Sequence, residues 1–152
     1  MDKTVLIEYC DLKAEIKEIR RMIQVTEDHL RKIEEEGAVS DVVSGGMGGE
    51  QHFKVTGFPE SRYAKEKALL KSRRQRLKMK EAELLELTNQ AEEYIESIPK
   101  SEIRIMLRLY YIENLTWAQV AMRMNCLYPK RRTPYTEESC RQRNKRFFDK
   151  IK

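Results

Sequence analysis

From Val5 to Ile33 the apolar positions step by four and three: Val5, Tyr9, Leu12, Ile16, Ile19, Ile23, then Thr26, Leu30 and Ile33. Only Thr26 interrupts the seam. A stripe recurring every three or four residues is what a long helix needs to bury one face against another helix, so this stretch predicts a coiled-coil helix, with Gly37 as its natural stop. A second ladder, Tyr63, Leu70, Leu77, Leu84, Ala91 and Ile98, follows Pro59 and Ser61. The positions between its rungs are polar at first (Glu66, Arg73, Lys80) and apolar later (Leu87, Tyr94), so packing should tighten toward the C-terminal end. Two helices of similar length predict an antiparallel hairpin, with parallel self-association of chains as the alternative.

Residues 37–61 connect the two ladders, and all six glycines lie between Gly37 and Gly57. Val39 to Val43 and Gln51 to Thr56 offer either a small hairpin across Gly45 and Gly46 or a disordered link. The glycines lack the GxxxxGK[ST] spacing and follow no buried strand, which sets nucleotide binding aside.

Beyond Pro99 the periodicity shortens into three helices. Ile103, Met106, Leu107 and Tyr110 give the first its stripe, and Asn114 marks its turn. The second starts at Thr116, where Thr116 and Gln119 form a capping box and Leu115 can staple Val120, with Trp117, Val120, Ala121 and Met124 facing inward. The third starts at Thr136, with Glu137 and Glu138 in the positive first turn, a Tyr135 to Cys140 staple, and the apolar row Cys140, Phe147, Phe148 and Ile151. Arg141, Arg143, Lys145 and Arg146 are assigned to its opposite face. The whole is an all-α chain: a helical hairpin over 1–98, then a helix-turn-helix over 99–152.

Charge separates the two parts. Residues 99–152 carry 13 Lys and Arg against 5 Asp and Glu, whereas residues 1–98 carry 17 against 20. Positive charge concentrated on a compact helical unit neutralises phosphates and releases counterions, so double-stranded DNA is the first partner to consider. Arg can bond guanine bidentately and Gln adenine from the first turns of a helix in the major groove, which makes Thr136, Glu138, Arg141, Gln142 and Lys145 the candidate reading residues. The long connection from Asn125 to Pro134 carries Lys130, Arg131 and Arg132 between two prolines. It reads as a small wing on the phosphate backbone or as an exposed charged loop. A second basic run, residues 62–80, has nine basic groups and one acid, and reads first as a solvated helix face, with a second nucleic-acid surface as the alternative. In an antiparallel register it would begin beside Glu27, Asp28, Glu34, Glu35 and Glu36.

Other chemistry is thinly represented. Cys10, Cys126 and Cys140 form no CxxC pair and His29 and His52 are far apart, so reduced thiols, no metal and no cofactor are expected. No Ser/His/Asp or Cys/His arrangement and no HExxH points to an enzyme. No run approaches a membrane span and the N-terminus is not a secretory signal, so a cytoplasmic protein without a membrane partner is expected.

Ser101 to Ile151 resembles region 4 of the sigma-70 family, the helix-turn-helix that reads the −35 promoter element. The match lies in Leu107-Arg-Leu-Tyr-Tyr111, Leu115-Thr-Trp-Ala-Gln-Val-Ala121 and Thr136-Glu-Glu-Ser-Cys-Arg-Gln142. The resemblance places the family's base- and phosphate-contacting positions on Glu137, Glu138, Arg141 and Gln142. Glu137 stands where Arg is customary, which points to a different DNA site. Over its full length the chain resembles small proteins of phages and prophages of Gram-positive bacteria, similar to late-gene transcription regulators of the RinA and ArpU type. That resemblance implies a DNA-binding regulator, with RNA polymerase or a second copy of the chain meeting the hairpin. A DNA-packaging subunit of the small-terminase kind is the alternative, although such subunits usually carry their DNA module at the N-terminus.

Overall fold

A computed structural model of the chain describes residues 3–42 and 60–151, and every regular element in them is helical. Helix α1 spans Thr4–Val42 and α2 spans Glu60–Glu96. Helix α3, Ser101–Leu107, continues into a π-helical turn, Arg108–Ile112, and is followed by α4, Trp117–Leu127, and α5, Glu137–Lys150. None of these described helices is long and apolar enough to cross a membrane.

Helix α1 does not stop at Gly37. It runs on to Val42, so residues 39–42 are helical and not strand. Glycine ends a helix where the chain behind it turns left-handed; kept helical, it costs only about 1 kcal/mol relative to alanine. The hairpin expected across Gly45 and Gly46 lies outside the described residues.

The two long helices pair within one chain, and they pair antiparallel. Tyr63 donates to Glu34 at 2.7 Å, Arg74 meets Glu27 at 2.8 Å, Lys80 meets Glu15 at 3.3 Å and Glu81 meets Arg20 at 2.8 Å. Partner numbers fall along α1 as they rise along α2. The seam follows the sequence pattern: Tyr9, Leu12, Ile16, Ile19, Leu30 and Ile33 are buried, and the α2 ladder is buried or half-buried from Tyr63 to Ile98. One assignment shifts, since Leu6 is fully buried while Val5 is half-buried.

The polar interruptions of the two ladders meet each other. Thr26 is buried, donates to the Met22 carbonyl at 2.9 Å and accepts a hydrogen bond from Arg73, which also donates to the Met22 carbonyl at 3.2 Å. A polar pair at one level of an apolar seam favours the register that satisfies it over those that leave it unpaired.

The chain divides into two compact units whose limits fall inside both long helices. Residues up to Lys13 join those from Ala82 onward, and Ala14–Glu81 form the other unit. The boundary read from sequence, at 98/99, therefore separates residues that pack together. Leu6 and Tyr9 share one core with Ala91, Tyr94, Ile95, Ile98 and Leu107. Beside it in the same unit, Met106, Leu109, Trp117, Val120, Ala121, Met124, Tyr135 and Cys140 form the core of the three C-terminal helices. Arg104 closes the α2 to α3 corner by donating to the Ile98 carbonyl at 2.6 Å.

Candidate nucleic-acid interface

The site is built from α5 and from the contacts that hold both ends of it. At its start, the Ser139 amide donates to the Thr136 hydroxyl at 3.1 Å and the Thr136 amide donates to the Ser139 hydroxyl at 2.8 Å. This capping box satisfies amides that would otherwise be orphaned, and Glu137 and Glu138 complement the positive end of the helix dipole. Helix α4 is capped in the same way. Gln119 donates its amide to the Thr116 hydroxyl at 3.3 Å, and the Thr116 amide donates to the Gln119 side chain at 2.9 Å.

At the other end of α5, the Lys3 ammonium donates to the carbonyls of Phe148 and Ile151 at 3.1 and 3.0 Å. The cation meets the negative end of the dipole and carbonyls that lack helical partners. Lys13 does similar work at the turn before α4. It donates to the Tyr111 carbonyl at 3.0 Å and to the Asn114 side chain, and its ammonium lies 4.7 Å from the centre of the Tyr9 ring. Asn114 is left-handed, with φ of 58°, a conformation in which Asn is enriched. Burial pushes the Lys13 ammonium below its usual range. Neither lysine could be singled out by local pattern, because each acts on carbonyls about a hundred or more residues away.

The connection between α4 and α5 covers residues 128–136, since α4 extends past Asn125 to Leu127. Asn125 binds across it, donating to the Tyr135 carbonyl at 2.8 Å and accepting from the Tyr135 amide at 2.7 Å. A polar knot then ties the loop to α3. Arg131 donates to Glu102 at 3.1 Å, to the Tyr135 hydroxyl at 2.5 Å and to the Thr133 carbonyl at 3.0 Å, while stacking 4.2 Å from the Tyr135 ring centre. Arg143 reaches the same carboxylate at 3.5 Å and lies 5.2 Å from the same ring. Burial acts to raise the Glu102 carboxyl, but the Tyr135 hydrogen bond and both guanidinium groups hold it below its usual range. Burial first, then the hydrogen bond to Glu102, pushes the Tyr135 hydroxyl up to about 12.

Three assignments change as a result. Arg143 is not on the outer face; three residues after Cys140, it sits on the half-buried side with Asn144, Phe147 and Phe148. Arg131 turns inward and braces the loop, while its neighbours Lys130 and Arg132 are exposed. Ile151 lies past the end of α5 and is exposed, so the apolar row ends at Phe148.

The remaining candidates, Thr136, Glu137, Glu138, Arg141, Gln142 and Lys145, are all exposed and run from the N-cap of α5 into its third turn. The Thr136 hydroxyl is occupied as the cap. Arg141 donates to Glu137 at 2.7 Å and Glu138 at 3.2 Å, and Gln142 donates to Glu138 at 2.8 Å. Such exposed pairs contribute about 0–1 kcal/mol, so the side chains leave them at little cost. No family model, no curated protein and no solved structure matches this chain.

Proposed function

We propose that the chain is a phage-type, DNA-binding transcriptional regulator of the host cytoplasm, with α5 as the helix that reads the major groove. The observation that carries this reading is the outer row of α5, where Glu138, Arg141, Gln142 and Lys145 stand exposed on a helix anchored at both ends. Arg141 suits guanine and Gln142 adenine, and Glu137 or Glu138, once Arg141 leaves them, can accept from the cytosine amine. Lys130, Arg132 and Lys145 would hold phosphates, and Arg131 would keep the loop in place. The sequence resemblance to sigma-70 region 4 supports the same assignment, and Glu137 argues for a site other than the −35 element.

In this reading the hairpin docks a partner such as RNA polymerase. Its apolar seam is already filled by the chain's own second helix, so a dimer would have to use other surfaces. Binding of the full chain to promoter-proximal phage DNA, measured across a salt series, tests the assignment. An Arg141→Ala, Gln142→Ala variant should lose about 1–3 kcal/mol of discrimination per bidentate contact while keeping its fold. Unchanged affinity and preference would remove α5 from the groove, and a ring of eight or more copies in solution would favour DNA packaging over regulation.

A further inference from the structure

We propose that a cationic row on α2, formed by Lys67, Lys71, Arg74 and Lys78, is a second contact for duplex DNA, holding the phosphate backbone without reading sequence. These residues recur at i, i+4, i+7 and i+11, so they share one flank of the helix over about 16 Å, and all four are exposed. Glu60 and Glu81 bound the row.

Among the described residues, the acids of α1 leave most of this row unpaired. Asp28 is taken by Arg31 and Glu18 by Arg21, both on α1 itself, and Glu34 accepts from Tyr63. Among the described residues Glu27 alone pairs with the row, through Arg74 at 2.8 Å. Among the described residues, Lys67, Lys71 and Lys78 have no carboxylate within ion-pair distance; Lys67 lies over the Tyr63 ring at 4.9 Å. Like charges one turn apart repel and destabilise a helix, and a linear polyanion laid along them removes that repulsion. The row contains no large apolar side chain, so it lacks the face with which a helix enters a membrane surface. Three of its four members are lysines, compact point charges suited to phosphate and without the planar fork that reads a base. The choice of duplex DNA over another polyanion rests on the reading of α5 given above.

The test uses the full chain and random-sequence duplex DNA, with fluorescence anisotropy followed through a salt series and helicity checked by circular dichroism. A Lys67→Gln, Lys71→Gln, Lys78→Gln variant should reduce the slope of log affinity against log salt by about 2.7, roughly 0.9 per lost phosphate contact. It should also weaken low-salt binding by about tenfold or more. The corresponding Lys→Arg triple variant should keep the slope. An unchanged slope in the Gln variant, or equal loss in the Arg variant, overturns the proposal. The two assignments separate cleanly: an Arg141→Ala, Gln142→Ala variant that keeps its sequence preference removes the α5 reading and leaves the lysine slope standing. Wild-type protein that binds single-stranded RNA but no duplex overturns the choice of DNA in both.

Discussion

Around Leu107 the polar side chains that enter the fold are tied to partners in other segments: Lys3 and Lys13 to distant carbonyls, Asn125 to both backbone groups of Tyr135, Glu102 to two guanidinium groups. Between Ala14 and Glu81 the described residues belong to two helices. Its seam is narrow, a threonine and an arginine occupy the middle of it, and its cross-helix ion pairs Arg20–Glu81 and Arg74–Glu27 are exposed. In the first region the apolar stripes of five helices close on one another, with Tyr110 stacked on Trp117 at 3.8 Å and Tyr111 edge-on to Phe148 at 6.1 Å. Stability there comes from converging faces, and in the second region from a repeated pattern. A region that contributes little to its own core has residues to spare on its surface, and α2 spends them on lysine.

The largest expected effect falls on the first region. Leu107→Ala should cost about 2–5 kcal/mol in urea unfolding, because a fully buried leucine leaves a cavity that converging helices cannot refill. Leu70→Ala in the hairpin should cost less, since two helices can close on the gap. Equal losses would break the contrast between the regions.

The polar layer sharpens it. Thr26→Val should cost about 1–3 kcal/mol, because Arg73 loses its acceptor within the seam. Thr26→Leu combined with Arg73→Leu should recover that stability while relaxing register and partner choice, seen as self-association in sedimentation. A double variant that stays monomeric would show that register is set elsewhere.

The smallest effect tests the knot beneath α5. Glu102→Gln should cost about 1 kcal/mol at neutral pH, a charged hydrogen bond discounted for partial exposure. The folded carboxyl lies below its ordinary 4.5, so its contribution is present above that pH and is lost as pH falls through the folded value. Wild type should therefore lose stability in acid more steeply than the variant. The Tyr135 contribution runs the other way: it is intact below pH 10 and lost as pH rises toward about 12. Acid curves that superimpose would mean that Glu102 braces nothing.

Much of this architecture was legible in the order of residues. The α1 and α2 ladders, the caps at Thr116 and Thr136, the turn at Asn114 and the exposed row of α5 are all local, because helical periodicity and capping act over three to seven residues. What the chain order concealed depends on residues far apart in it. The stretch from Val5 looks like the start of a coiled coil, yet Leu6 and Lys3 beside it complete the module that carries α5, and Arg131 and Arg143 look like phosphate contacts until Glu102 and Tyr135 turn them inward. Pattern determines which face of a helix is apolar. Which element covers that face, and which charge meets which, is decided only when the helices pack and each buried polar group must find a partner.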